Sequence, residues 1–311
     1  MAQIIDDKSQ YCIPFLLERL ELYHDQHANN PDPPPFFVGL NGVQGAGKTV
    51  LVTTLRSTLS APPYNLPTVT FSLDDIYLTH DEQLRLAASY PGNPLLQHRG
   101  QPSTHDVPLG KRVFDSLKKG LPTKIPAYDK AAFNGQGDRV PEDQWELVND
   151  VAQGQERVKV VIFEGWCVGF RALPEEDVRA AWEDAVEKKN KGGYDGQLAN
   201  IKLEDVLTVN EALKQYDALT EDASNIHNVY DWRQEQERTL LATKGTGMTP
   251  DQVIQFVNGY YPAYELFTSR VRRGIFNPSG SVGLGSPVSH RGRQLQLTID
   301  ERRRVQDVTR I

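Results

Sequence analysis

The segment Gly42-Val43-Gln44-Gly45-Ala46-Gly47-Lys48-Thr49 constrains the fold of this chain more than any other, because it satisfies G-x-x-x-x-G-K-[ST]. Glycines let the backbone curl, so that successive N–H groups point inward at an anion. The context the motif needs is present. FFVGL (36–40) is a short apolar run that suits a buried strand, and VLVTTLRSTLS (50–60) reads as a helix. The start of that helix adds its positive end to the cradle. The expected ligand is ATP with Mg²⁺, held by Gly42, Val43, Gln44, Gly45, Ala46, Gly47, Lys48, Thr49 and Val50. Lys48 reaches the β- and γ-phosphates, and Thr49 ligates the metal.

Further elements extend the pattern. TVTFSL (68–73) is rich in β-branched and aromatic residues and reads as a second strand, VKVVIF (158–163) as a third, and QLQLTI (294–299) as a closing strand. Helices are expected over residues 8–28, 80–89, 107–119, 174–189, 203–219, 231–243 and 249–272. Alternation of strands and helices gives an α/β class, with a mainly parallel central sheet flanked by helices in the P-loop NTPase fold. NNPDPPP (29–35) breaks the chain, so residues 1–35 form an N-terminal helix and a proline-rich connection. Residues 36–311 then make one kinase domain with lid and substrate-loop insertions around 90–140 and 171–200.

Composition narrows the class of partner. Among 311 residues there are 41 Asp and Glu against 34 Lys and Arg, a net charge of −7 that disfavours a phosphodiester partner. Two cysteines cannot build a disulfide framework, no apolar run is long enough to cross a membrane, and the start MAQIIDDKSQ has neither signal-peptide nor transit-peptide character. The expectation is a cytoplasmic protein acting on a small molecule, without nucleic-acid or membrane partners and with no oligomeric state written in the sequence.

Ligands of parallel sheets sit beyond the carboxyl ends of the strands. Asp74 and Asp75 follow the second strand and Glu164 follows the third. Phosphoryl transfer to an alcohol needs a proton acceptor and groups that orient Mg²⁺. Asp74 is the expected base and, with Thr49 and Glu164, a metal-orienting group; one of Asp74 and Asp75 alternatively caps the next helix. An acidic acceptor would call for a planar cation; Arg99 is the preferred clamp for one, with His105, Asp106, Tyr128 and Arg139 in the same polar loops. Arg233 is the expected cation on the transferring phosphoryl, ahead of Arg171 and Arg238. Trp166 and Tyr260, Tyr261 and Tyr264 are expected as core or wall, and Cys167 as buried and inert.

FSLDDIYLT (71–79) resembles the Asp-x-Phe-Tyr segment of the uridine kinase, phosphoribulokinase and pantothenate kinase group, in which the first Asp, here Asp74, is the base. NPLLQHRGQPSTHD (93–106), IPAYDKAAFNGQGDR (125–139), VVIFEGWCVGF (160–170), VYDWRQEQE (229–237) and FVNGYYPAYELF (256–267) together resemble the glycerate 3-kinase family of fungi and plants. The resemblance alone narrows the acceptor to a small hydroxy-acid, and implies ATP- and Mg²⁺-dependent phosphorylation of D-glycerate to 3-phosphoglycerate. Ser103 stands where the family pattern has glycine, and residues 219–228 are less apolar than the strand expected there. Two other readings fit the phosphate loop: a kinase of a nucleoside or pantothenate-like alcohol, and a non-catalytic ATP-binding regulator. A guanine switch is disfavoured, because Asn190-Lys191 is followed by Gly-Gly and not by the element such switches carry.

Overall fold

The computed structural model describes residues 6–43, 46–220, 226–228, 250–275, 292–300 and 302–311; for residues 220, 226–228 and 250–257 only the backbone is described. A six-stranded sheet runs in the order β10-β9-β8-β1-β7-β2. Its strands are β1 (Phe36–Asn41), β2 (Thr68–Ser72), β7 (Val160–Gly165), β8 (Ile226–Asn228), β9 (Leu295–Ile299) and β10 (Val305–Arg310). All neighbouring pairs are parallel except β9 with β10. Two small antiparallel pairs lie in the 90–150 region: β3 (Thr123–Ile125) with β6 (Glu146–Val148), and β4 (Tyr128–Asp129) with β5 (Asp138–Arg139).

The central strands read as continuous apolar runs because both of their faces are covered. Phe36, Val38 and Leu40 of β1, with Val160 and Ile162 of β7, point into one buried cluster. There they meet Cys12, Phe15, Leu16 and Leu20 of α1 (Ser9–Gln26) and Leu51, Val52, Leu55 and Leu59 of α2 (Lys48–Ser60). Phe37, Phe71, Val161 and Phe163 point the other way, onto Phe114 and Leu117 of α4 (Val107–Lys118). That second cluster continues into α5 (Glu175–Asn190), α6 (Leu203–Leu213) and α8 (Pro250–Arg273). The insertion around 171–200 thus buries Val178 and Ala185 in the main core.

Helix α1 buries Cys12, Phe15, Leu16 and Leu20 in the core, with Ile13, Leu17 and Tyr23 half-buried against the same cluster. The elements differ from expectation in a few places. The segment expected as one helix over 203–219 breaks after Leu213 into a 3₁₀ turn and the short α7 (Asp217–Thr220). Strand β10 gave no signal in the sequence, since an edge strand with an exposed face needs no apolar alternation. The helix expected over 231–243 lies outside the described residues. No described helix is long and apolar enough to cross a membrane.

Candidate active site

Strand register brings the carboxyl ends of the three central strands level. Asn41 pairs with Gly165, Leu40 with Glu164, and Ser72 with Glu164, so the phosphate loop, the Asp74 segment and Glu164 emerge at one edge of the sheet. Gly47 closes the loop in the left-handed region at φ +87°, as the residue that caps α2. Only glycine takes that conformation without strain. The Lys48 ammonium folds back over the loop and donates to the carbonyl oxygens of Gly42 at 2.6 Å and Val43 at 3.1 Å. Thr49 opens α2 beside it. Gln44 and Gly45 lie outside the described residues.

After β2 the chain turns through a 3₁₀ helix, Leu73–Ile76, and the roles of the paired aspartates separate there. Asp75 completes a capping box: the Ser72 N–H donates to Asp75 Oδ2 at 3.2 Å, while Ser72 Oγ accepts from the Asp74 N–H at 3.2 Å. Asp75 therefore closes the box on the Ser72 cap, and Asp74 is left to face the site. Ser72 Oγ also donates to Glu164 Oε1 at 2.7 Å, so one hydroxyl ties the Asp74 turn to the carboxylate of β7. Burial pushes the Asp75 carboxyl up to about 7; Lys130 opposes this, and the charges of Glu164 and Asp74 add to it.

Asp74 lies under the insertion 90–140. Loop 100–106 runs antiparallel to the segment after the aspartates: Leu78 N–H donates to the Thr104 carbonyl at 2.9 Å and Asp106 N–H to the Ile76 carbonyl at 2.7 Å. The loop thereby carries His105 to a ring stack on Tyr77 with centroids 4.3 Å apart. His105 shares a hydrogen bond of 2.6 Å between Nδ1 and the Tyr216 hydroxyl, while its Nε2 is buried with no partner among the described residues. Burial pulls its pKa down to about 3 against the pull of Asp74, so the ring is neutral. From the hairpin bend between β4 and β5, Lys130 Nζ reaches Asp74 Oδ2 at 2.5 Å. Asp74 Oδ1 is buried and has no hydrogen-bond partner among the described residues. Burial alone would raise the Asp74 carboxyl, but Lys130, with Lys48 adding to it, holds it well below the usual carboxylate range.

Other expected site residues do structural work. Arg99 is buried, 6% exposed, with its guanidinium turned into the 130–137 loop. It donates to the carbonyls of Gly135 at 2.7 Å and Gln136, and lies 5.7 Å from the Tyr128 ring centroid. This geometry does not suit the carboxylate clamp expected of Arg99, since its donors are already taken by backbone oxygens. Arg139 pairs with Asp106 at 3.2 Å and donates to the Tyr77 carbonyl at 2.8 Å. Asp106 in turn caps α4 through Leu109 N–H at 2.9 Å. These two residues spend their polar groups on each other and on the backbone, and so fix the floor of the site. Tyr128 is half-buried edge-on to Tyr77, and burial pushes its hydroxyl up to about 12. Arg171 pairs with Asp217 at 2.6 Å. Arg233 and Arg238 lie outside the described residues.

Trp166 and Tyr260 are core, packed edge to face 4.7 Å apart, but Tyr261 is 42% exposed, on the solvent side of α8. Both cysteines are free and buried, and burial pushes the Cys167 thiol well above its ordinary range. Sequence reasoning did not single out Ser72, and Lys130 entered it only within the motif IPAYDKAAFNGQGDR (125–139). The polar residue immediately before Asp-Asp at a strand end was the available signal for Ser72. For Lys130 there was none, because its place depends on how the hairpin folds back. A surface cavity lined by Arg56, Glu146 and Asn149 lies by the start of β2, at the opposite edge of the sheet from these groups, and has no part in the site.

The residues fit a magnesium nucleotide. An ammonium and a curled loop supply the phosphate cradle, and a hydroxyl with one or two nearby carboxylates suits Mg²⁺, which keeps most of its own water. Among the described residues no cluster of three or more His, Cys, Asp or Glu forms a dedicated metal cage.

Comparison with known proteins agrees with this architecture. The chain is 40% identical over 259 residues to an uncharacterized kinase, mug58, of Schizosaccharomyces pombe, covering 80% of this chain and 87% of the relative. It is 31% identical over 302 residues to a chloroplastic D-glycerate 3-kinase of Arabidopsis thaliana, covering 94% of this chain and 59% of that longer protein. Among solved structures, D-glycerate 3-kinase from Cryptococcus neoformans var. grubii serotype A superposes with a TM-score of 0.80 at 30% identity, covering 99% of this chain and 100% of that one. No family model matches the chain.

Proposed function

The chain belongs to the glycerate 3-kinase family of phosphotransferases acting on an alcohol group, and from that membership we propose that it transfers the γ-phosphate of ATP to D-glycerate, giving ADP and 3-phosphoglycerate. The observation that carries the reading is Asp74: a carboxylate at the strand edge beside the Lys48 loop, paired with Lys130 through one oxygen, the other being buried without a hydrogen-bond partner among the described residues.

In this mechanism the phosphate loop and Lys48 hold the triphosphate. Thr49, Glu164 and Asp74 are the residues that would hold Mg²⁺, which supplies charge neutralisation on the phosphate oxygens. Asp74 Oδ1 accepts the proton of the primary hydroxyl. The hydroxyl oxygen bonds to the γ-phosphorus as the bond from phosphorus to the ADP oxygen breaks, and the electron pair leaves with ADP. Lys48, and Arg233 by its place in the WR motif, offset the charge that moves. Loop 90–106 and the insertion around 171–200 exclude water, which would otherwise compete as acceptor. His105 offers a neutral imidazole at the wall, and Tyr128, Arg139, Asp106 and Arg99 shape the acceptor pocket from behind. Two buried free thiols accord with a reducing compartment, and the cytoplasm is the proposed location.

The experiment is a screen of hydroxylated small molecules with Mg·ATP, reading ADP release. D-glycerate is expected to raise release far above hydrolysis in its absence. A nucleoside or pantothenate giving the larger rate, or no acceptor dependence at all, overturns the assignment.

A further inference from the structure

A buried polar atom without a hydrogen-bond partner is costly and uncommon in a folded protein. Two such atoms occur at this site. Asp74 Oδ1 and His105 Nε2 are both buried with no partner among the described residues. They share one neighbourhood, since the charge of Asp74 is felt at the His105 ring. Both are closed off from bulk water, as a site that must favour an alcohol over water requires. Two orphaned atoms together call for two oxygens of one small molecule.

The His105 ring is held in place by contacts that spend only its other nitrogen. Nδ1 shares its hydrogen bond of 2.6 Å with the Tyr216 hydroxyl. The ring stacks on Tyr77 with planes 22° apart, and Tyr216 meets it edge-on with centroids 5.5 Å apart. An antiparallel bridge joins the backbones of Tyr77 and His105, and the neighbouring Asp106 N–H is fixed on the Ile76 carbonyl. The chemistry that Nε2 can serve is narrow. The imidazole is neutral and offsets no negative charge, and a carboxylate placed there would also face Asp74. A hydroxyl suits it, because a hydroxyl both donates and accepts and so completes Nε2 whichever tautomer the Tyr216 bond selects. On a three-carbon hydroxy acid, such a hydroxyl sits on the middle carbon, next to the carbon that bears the reacting one.

We propose that His105 is a specificity-determining residue of the acceptor site, its Nε2 hydrogen-bonding the hydroxyl on the middle carbon while Asp74 Oδ1 takes the primary hydroxyl beside it. This assignment rests on the proposed function and names the part of the acceptor that is read beyond the reacting group. An acceptor without the second hydroxyl leaves Nε2 orphaned, and a site built around a hydrogen bond rejects such an analogue strongly. Tyr77 and Tyr216 act through His105, as positioning residues.

The test compares D-glycerate with 3-hydroxypropionate, which has the same carboxylate and primary hydroxyl and lacks only the hydroxyl between them. It uses the full chain as wild type, His105→Asn and His105→Gln with saturating Mg·ATP. Wild type is expected to favour D-glycerate by about 10- to 100-fold in kcat/KM, the worth of one buried hydrogen bond left unmade. Asparagine sets its amide where Nδ1 stands, so it keeps a partner for Tyr216 and has no atom in place of Nε2. His105→Asn is expected to lose the preference through its loss on glycerate, with KM for ATP unchanged. Glutamine reaches the Nε2 position, and His105→Gln is expected to recover part of the preference. A merely structural role would lower both acceptors alike; a preference that survives in His105→Asn, or a wild type that does not discriminate, overturns the role of His105. If His105→Asn does not fold, nitrogen NMR of the wild-type imidazole decides. The His105 Nε2 resonance is expected to shift on adding D-glycerate with Mg·ADP and not on adding 3-hydroxypropionate, and an equal response to the two acids overturns the proposal. Failure of wild type to use either acid while it phosphorylates another alcohol overturns the proposed function instead.

Discussion

Ser103 offers a measurable test of how this site is built. Its φ is +94°, in the region that disfavours any side chain, at the position where the family pattern has glycine. The loop imposes this angle. Thr104 Oγ1 accepts from Gly100 N–H at 2.9 Å and donates to the Gln101 carbonyl at 2.7 Å, while the Ser103 N–H donates to the Tyr216 hydroxyl at 3.3 Å. Gln101, Thr104 and His105 are all buried around it, so the backbone cannot relax without giving up those bonds. A non-glycine residue held at positive φ costs about 1–3 kcal/mol. Glycine in its place loses about 0.5–1 kcal/mol through the extra freedom of its unfolded chain. The difference predicts that Ser103→Gly stabilises the protein by roughly 1 kcal/mol, within a range of about 0–2.5 kcal/mol. For a chain of 311 residues each kcal/mol corresponds to about 1–2 °C in Tm. Denaturant titration and thermal melting, with Ser103→Ala as control, make the measurement. The alanine variant keeps the Cβ and so keeps the strain, and is expected to show no gain. If Ser103→Gly is no more stable than Ser103→Ala, the strain argument is wrong.

Three further outcomes follow from the same geometry. Asp74→Asn is expected to retain magnesium-nucleotide binding by calorimetry while kcat falls by about 10²- to 10⁴-fold, the range for loss of a general base; normal turnover would remove Asp74 from the mechanism. Asp75 has a folded pKa of about 7 against roughly 3.9 for an unperturbed aspartate. Its folded state holds the proton more tightly, so its contribution is fully present below about pH 4 and is lost as pH rises through about 7. His105, lowered to about 3, works with the opposite sign, losing its contribution as pH falls from about 6.5. Asp75→Asn, which keeps the capping acceptor, isolates the first effect: its stability relative to wild type should climb between about pH 4 and 7 and level off above. A flat difference would mean that Asp75 is ionised throughout. Gly137→Ala combines positive-φ strain with a Cβ 2.5 Å from the Tyr128 ring, each costing about 1–3 kcal/mol. It should lower stability, read by thermal melting, and a variant as stable as wild type would show that the bend relaxes around the added Cβ.

What the sequence determined by itself is what depends on neighbours along the chain. A glycine-rich turn between an apolar strand and a helix is built from consecutive residues, so the loop up to Lys48 and Thr49 could be read directly. So could Asp74 and Glu164 at strand ends, because parallel strands align their carboxyl ends at one edge. The ordered family motifs carried the reading further, to a kinase of a small alcohol.

The tertiary structure alone decided how the insertion 90–140 folds back over that edge. An arginine in a polar loop looks the same in sequence whether it faces a ligand or a carbonyl. Only the fold showed Arg99 turned inward onto Gly135 and Gln136, and Arg139 locked to Asp106. The same folding put Lys130 on Asp74, across 56 residues of chain. It also divided Asp74 from Asp75, because which of two adjacent carboxylates caps a turn depends on the direction the backbone takes after β2.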